Sequence, residues 1–228
     1  MSYADTDALY GKDNVEDAYK ALKTKYEGGD KSPDLLWRLA RAALETAQLD
    51  ANRPKRGDLL KEARDYAVEG ATAKEDQDTL TWAAVASSYY SDCLSAKNRI
   101  VEYQKMIAYT SKGLELKPND HILLFVKGRT VFEFCSLNSI EKKAMAIVFN
   151  TTGNEPAPSI SSAQSIFLQS YGACATYLPT LYYLGMCMIS LGDKENAKKY
   201  LTEATSQTAE GCYRSVQAEC ANLLKQCK

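Results

Sequence analysis

The fold class predicted for this chain of 228 residues is all-α, with antiparallel helix pairs stacked side by side, and three observations predict it. The stretch 181–204, LYYLGMCMISLGDKENAKKYLTEA, puts Leu181, Leu184, Gly185 and Met188 in a first helix, Gly192 and Asp193 in a turn, and Ala197, Leu201 and Ala204 in a second helix. That spacing is the tetratricopeptide (TPR) pattern, whose period is about 34 residues; only the closing proline is missing, with Ala209 in its place. Gly185 and Ala197 stand where two antiparallel helices must nearly touch, so larger side chains there would push them apart. Three further segment pairs upstream carry related spacing, and one of them closes with Pro118 where the repeat has its proline. A pair of this kind cannot bury its apolar face alone, so the pairs should stack into one TPR-like right-handed superhelix of about eleven helices.

Taken in order, 14–26 reads as an amphipathic helix with Val15, Ala18, Tyr19 and Leu22 on one face. Repeat 1 spans 34–73: DLLWRLARAALETAQL sets Trp37, Ala40 and Leu44 as its first knobs, and 55–73 aligns Leu59, Leu60, Ala63, Ala67 and Gly70. The intervening QLDANRPKRGD predicts a connection longer than a tight TPR turn. Repeat 2, 78–118, has Trp82, Val85, Ala86 and Tyr89, then Ile100, Tyr103, Ile107, Gly113 and Leu114. In repeat 3, 120–172, Leu124, Lys127, Gly128 and Val131 take the Trp, Leu, Gly and Tyr places, Lys127 being a departure. Its second helix, 161–171, follows an insertion at 139–158, a short helix EKKAMAIVFN and then TTGNEPAPS, where Pro156 and Pro158 exclude helix. Repeat 4 is 177–206, and 209–228 reads as a capping helix.

Composition narrows function. A hydrophobic share of 45%, 25% charge and a formal net charge of −1 describe an ordinary globular chain without the basic excess that nucleic acid or an anionic membrane would attract. No run of 18 apolar residues predicts a transmembrane span and no apolar stretch behind a basic start predicts a secretory signal, so a cytoplasmic chain is expected. The seven cysteines include no Cys-x2-Cys and His121 is the only histidine, so neither metal site nor disulfide framework is expected. Cys93, Cys135 and Cys187 lie among apolar or small helix residues and are expected to pack as small hydrophobes. There is no phosphate-binding glycine loop, no nucleophile elbow and no carboxylate pair with reason to differ in pKa. A binding protein without enzymatic activity or cofactor is expected.

Three strings in this order, DLLWRLARA at 34–42, SIEKKAMAIVF at 139–149 and LYYLGMCMISLGDKENAKKYL at 181–201, resemble the regulator of microtubule dynamics family over roughly 14–204. The most specific element is LWRLARA together with the Glu-Lys-Lys helix inserted in a repeat. The resemblance implies a TPR-like helical protein linked to microtubules, the spindle and chromosome segregation. Some members carry a membrane anchor ahead of the repeats, and its absence here implies the short soluble type.

In a TPR superhelix the first helices build the concave face. Positions one and five after the Trp place give Arg38 and Ala42, Ala83 and Ser87, Phe125 and Arg129, and Tyr182 and Met186; one turn on stand Glu45, Tyr90, Phe132 and Ile189. This predicts a groove that is apolar and aromatic toward its later repeats, with Arg38 and Arg129 as cationic handles for an acidic peptide or a phospholipid, because guanidinium pairs bidentately with either anion. The alternative is that the aromatics pack against inserted segments and both arginines pair within the chain. Arg41, at the repeat's small-residue place, needs a partner and is expected in an ion pair. Tubulin presents an acidic surface, for which the densest basic cluster is Arg53, Lys55, Arg56, Lys61 and Arg64; Lys194, Lys198 and Lys199 form a second. Two readings stand from different classes: a microtubule- or spindle-associated adaptor with a partner in the groove, and a carrier holding an acyl chain there. A general scaffold for another protein's peptide tail shares the groove with both.

Overall fold

The computed structural model describes residues 1–137, 139, 141–143 and 158–227, and leaves the side chains of residues 53 and 96 undescribed. Every regular element among the described residues is helical: α1 (Tyr3–Asp7), α2 (Val15–Glu27), α3 (Pro33–Leu49), α4 (Arg53–Ala73), α5 (Gln77–Ser91), α6 (Ala96–Leu116), α7 (His121–Ser136), α8 (Ile160–Ala173), α9 (Leu178–Ser190), α10 (Lys194–Thr205) and α11 (Tyr213–Leu224), with a 3-10 turn at Lys225–Cys227. Eleven α-helices are thus described, but α1 was not among the eleven expected. The expected inserted helix 140–149 and its loop fall mostly outside the described residues.

Local chemistry sets the helix starts. Ser32 Oγ accepts the Leu35 N–H at 3.3 Å with Pro33 at the first helical position, and Asp120 accepts from Ile122 and Leu123 at 3.0 and 3.1 Å. The Ser2 and Asp5 side chains exchange hydrogen bonds with each other's backbone and start α1. The long connection expected after α3 is absent. Asn52 Oδ1 accepts the Lys55 N–H at 3.4 Å and Pro54 falls in the first turn, where its missing N–H costs nothing, so α4 begins at Arg53 and only 50–52 connect it to α3.

Successive helices pair as α3/α4, α5/α6, α7/α8 and α9/α10, with α2 packed before the first pair and α11 after the last. This is the TPR-like arrangement of neighbouring pairs around one continuous core, which runs from Val15 to Cys227. The first helices touch one another in the order α3, α5, α7, α9 and line the inner face. In α3 eleven residues are buried, because α2, α4 and α5 each cover part of it. A Cβ on Gly185 would stand 2.5 Å from Leu201 Cδ2, and one on Gly128 2.7 Å from the Phe167 ring, so both glycines permit helix pairs to close.

Two local expectations are corrected. Cys93 sits in the exposed turn after α5 rather than in packed helix, while Cys187 is buried and Cys135 half-buried. The capping helix expected from 209 begins only at Tyr213, because 209–212 make a turn in which Gly211 takes φ +54°. That turn meets residues 11–13: Asp13 Oδ1 accepts the Gly211 N–H at 3.1 Å, Arg214 pairs with Asp13 at 2.7 Å and Lys12 with Glu210 at 2.8 Å. The two ends of the array are therefore joined across its inner face.

Candidate functional site

The inner face divides into three parts. At α3, the segment 3–13 lies on the row Arg38, Arg41 and Glu45. Arg38 Nε donates to both Asp7 carboxylate oxygens at 3.0 and 3.1 Å, and its carbonyl accepts the Tyr10 hydroxyl at 3.2 Å. The Arg41 guanidinium lies 3.6 Å from the Tyr10 ring centroid and 3.4 Å from Glu45 Oε1, the partner its position required. Glu45 Oε2 accepts the Gly11 N–H at 2.7 Å. Burial pushes the Glu45 carboxyl above the ordinary value, with Arg41 and the Gly11 N–H opposing.

The middle part is a charge network around Arg129. Its guanidinium donates to Glu133 (2.6 Å), Tyr183 Oη (3.0 Å), Ser88 Oγ (3.1 Å) and Asp92 (2.7 Å), and sits 4.8 Å from the Tyr89 ring centroid. Arg129 is 6% exposed, so it is a structural centre whose donors are already committed. Arg38 and Arg129, the two expected handles, both hold acids of this chain.

The third part is aromatic. Phe125 is buried with its ring centroid 6.1 Å from Phe167, 5.5 Å from Tyr177 and 5.6 Å from Tyr183, and Phe132 meets Tyr183 edge-on at 5.4 Å. Tyr182 is half-buried beside Tyr183, its hydroxyl pushed up to about 12 by burial and then by Glu219. Met186, Tyr90 and Ile189 are half-buried, whereas Ala42, Ala83 and Ser87 are fully buried, the Ser87 hydroxyl having no hydrogen-bond partner among the described residues. The structure thus gathers Phe125, Arg129, Phe132 and Tyr182 around Tyr183 and keeps Arg38 apart, under segment 3–13. Between residues 10–12 of that segment, the turn into α9 and residues 207–210 a cleft of about 350 Å³ remains, lined among others by Tyr10, Lys12, Tyr177, Leu178, Glu210 and Tyr213.

The expected basic cluster does not form one patch. Lys55 pairs with Asp50 at 2.9 Å and Lys61 with Asp65 at 2.7 Å; Arg64 is committed to the buried Glu102 through two bonds of 2.8 and 3.0 Å. Arg56 is exposed and makes no ion pair among the described residues, and the Arg53 side chain lies outside them. With about 100° of rotation per helical residue, Lys55 and Lys61 stand about a third of a turn apart around α4. On α10, Lys194, Lys198 and Lys199 are exposed and make no ion pair among the described residues. Among those residues no group of His, Cys, Asp and Glu could hold a metal ion, and no helix is long and apolar enough to cross a membrane.

The family model described as regulator of microtubule dynamics protein 1-3 matches residues 2–228 of this paired-helix array. The chain belongs to that family. The Caenorhabditis elegans protein named regulator of microtubule dynamics protein 1 is 26% identical over 228 residues, 99% of each chain. The Mus musculus protein of the same name is 27% identical over 227 residues, 97% of this chain and 72% of the relative. The Homo sapiens regulator of microtubule dynamics protein 2 is 26% identical over 193 residues, 81% of this chain and 45% of the relative. Of the three strings that suggested the family, DLLWRLARA begins α3 and lays its Arg38 and Arg41 on the inner face, and the last string spans α9 and α10. The second falls mostly outside the described residues.

Sequence reasoning missed the residues that fill this family member's inner face: Asp7, Tyr10 and Gly11 from one side, and Tyr177, Tyr183 and Tyr213 from the other. A signal existed for the first set, since Ser2 and Asp5 have capping-box spacing. None existed for the second, because nothing local distinguishes an inward tyrosine from an outward one.

Proposed function

We propose that this chain is a non-enzymatic adaptor in microtubule regulation, working in the cytoplasm at the cytoskeleton and spindle and contributing to chromosome segregation. In this reading basic side chains on the outer surface contact tubulin, and the inner face receives a partner protein. The names of the relatives supply the microtubule context. The observation that carries the tubulin contact is the exposed trio Lys194, Lys198 and Lys199, cations with no ion pair among the described residues to compete for them. Lys55 and Lys61 remain available as well, because exposed pairs are worth about 0–1 kcal/mol and release easily. Co-sedimentation with taxol-stabilised microtubules across a salt series tests the reading. Binding should fall as salt rises and fall further in a Lys194→Glu/Lys198→Glu variant than in Lys55→Glu/Arg56→Glu. Absence of binding by the unmodified chain at low salt would remove the direct contact.

A second reading, a carrier for a phospholipid or acyl chain, is favoured by one observation: the 350 Å³ cleft beside Tyr177 and Tyr213 falls in the size range of small-ligand pockets. Native mass spectrometry of the purified chain tests it; bound lipid supports it, and a mass equal to the bare chain opposes it.

A further inference from the structure

We infer that the α3 stretch of the inner face is a docking site for a peptide carrying an acidic residue three positions ahead of a Tyr-Gly pair, and that the chain's own segment 3–13 occupies it as an intramolecular competitor. The occupant is read from the molecule itself. In Asp7-Ala8-Leu9-Tyr10-Gly11 the carboxylate takes Arg38, the phenol takes the Arg38 carbonyl and the face of Arg41, and the glycine N–H takes Glu45. Arg38, Arg41 and Glu45 are spaced three and four residues apart and so share one stripe of α3. Gly11 is required by more than hydrogen bonding: it adopts φ +68°, and a Cβ there would lie 3.2 Å from Tyr213. The recognition elements are therefore one anion, one aromatic hydroxyl and one left-handed glycine.

Segment 3–13 is held as a ligand is held rather than as core. Thr6 is its single fully buried residue, and Tyr3, Leu9 and Tyr10 rest partly buried against the core, whereas eleven residues are fully buried in α3. Beyond the stripe it is fastened by the Tyr3 hydroxyl to Asp30 at 3.2 Å, by the Gly211 N–H to Asp13 at 3.1 Å, and by Lys12 to Glu210 and Asp13 to Arg214, ion pairs whose side chains are 44–59% exposed and which therefore contribute little. Such a segment opens at small cost compared with global unfolding. A partner peptide then binds with an affinity reduced by the fraction of molecules in which the segment is open, which makes the segment a regulator of docking. The inference rests on the partner-binding half of the proposed function and is independent of the microtubule half, since its test contains no microtubules.

The test uses a fluorescein-labelled peptide of sequence YADTDALYGKD and fluorescence anisotropy, with the full chain and the full-chain variant Asp7→Ala/Tyr10→Ala. The variant should bind the peptide about tenfold or more tightly than the unmodified chain. Adding Arg38→Glu to the variant should abolish binding, and a peptide with both Asp and Tyr of the motif changed to Ala should bind neither chain. Equal affinity for both chains, or no saturable binding to a variant that keeps its helical circular dichroism, overturns the proposal. Should the variant lose that signal, hydrogen exchange on the unmodified chain decides: excess peptide should speed exchange across 3–13 by displacing it, and unchanged exchange overturns the proposal. A concentration-dependent dimer of the unmodified chain that the peptide dissociates would assign the site to a second copy and overturn the partner reading.

Discussion

Gly211 is pressed against the backbone of Gly11: a Cβ on Gly211 would sit 2.7 Å from the Gly11 carbonyl oxygen. Both residues adopt positive φ, +54° and +68°. Two turns from opposite ends of the chain thus cross at van der Waals distance, and their hydrogen bonds and ion pairs convert an open array of helix pairs into a joined one. An open array propagates stability only between neighbours; a contact between its ends adds a term that no single repeat supplies.

Gly211→Ala should lower the thermal midpoint and speed hydrogen exchange in 9–14 before it affects α3. The left-handed backbone and the backbone contact together cost about 1–3 kcal/mol. Thermal melting with peptide-resolved exchange checks both.

Gly128→Ala should destabilise despite alanine's better helix propensity, worth about 1 kcal/mol. The new Cβ would meet three Phe167 ring atoms at 2.7–3.0 Å, and a buried ring cannot move aside as a side-chain tip can. Overpacking of this kind costs about 1–3 kcal/mol, so urea denaturation should show a net loss.

Arg129→Ala should cost about 3 kcal/mol, since it leaves the partly buried Glu133 without its cation beside a buried vacancy while the half-exposed Asp92 returns to water. Arg129→Lys should recover only part of this, because one ammonium cannot reach Ser88, Asp92 and Glu133 along three directions as the guanidinium fork does. Urea denaturation of both variants checks the order.

Glu45 gives a pH dependence of defined sign. Its folded pKa is raised above the ordinary glutamate value of 4.5 by burial, so the folded state holds its proton more tightly than the unfolded state does. Between those two values stability should decrease as pH rises. His121 works oppositely: burial against Tyr177 lowers its pKa below 6.5, so its contribution is full above that value and is lost as pH falls through it. Denaturation midpoints of Glu45→Gln and His121→Phe across pH 4–8 should each lose one of these slopes.

Iodoacetamide at pH 8 should label Cys93 well before Cys187, Cys212 and Cys220. Cys93 is exposed, while burial seals the other three and pushes each thiol up to about 12. Mass spectrometry of a labelling time course checks the order.

The helices were legible because their signals are local. Leu181, Leu184, Gly185, Met188, Ala197 and Leu201 announce a helix pair by spacing alone, and Gly185 against Leu201 is the close approach that spacing implies. The connection after α3 was misread because Arg53 to Asp58 is polar and contains proline and glycine, which also suit a first helical turn once Asn52 caps it. The basic cluster was a cluster in sequence only: helical geometry spread it around α4 and brought Asp50, Asp65 and Glu102 beside three of its members.

By itself the sequence determined the all-helical class, the pairing of neighbouring helices and the membership in a family of microtubule regulators, because each depends on residues a few positions apart. Tertiary structure decided what covers the inner face. Asp7 finds Arg38, Gly211 finds Gly11 and Tyr183 finds Arg129 across long stretches of chain, and such partners are chosen by the curvature of the stacked pairs, to which no local spacing is sensitive.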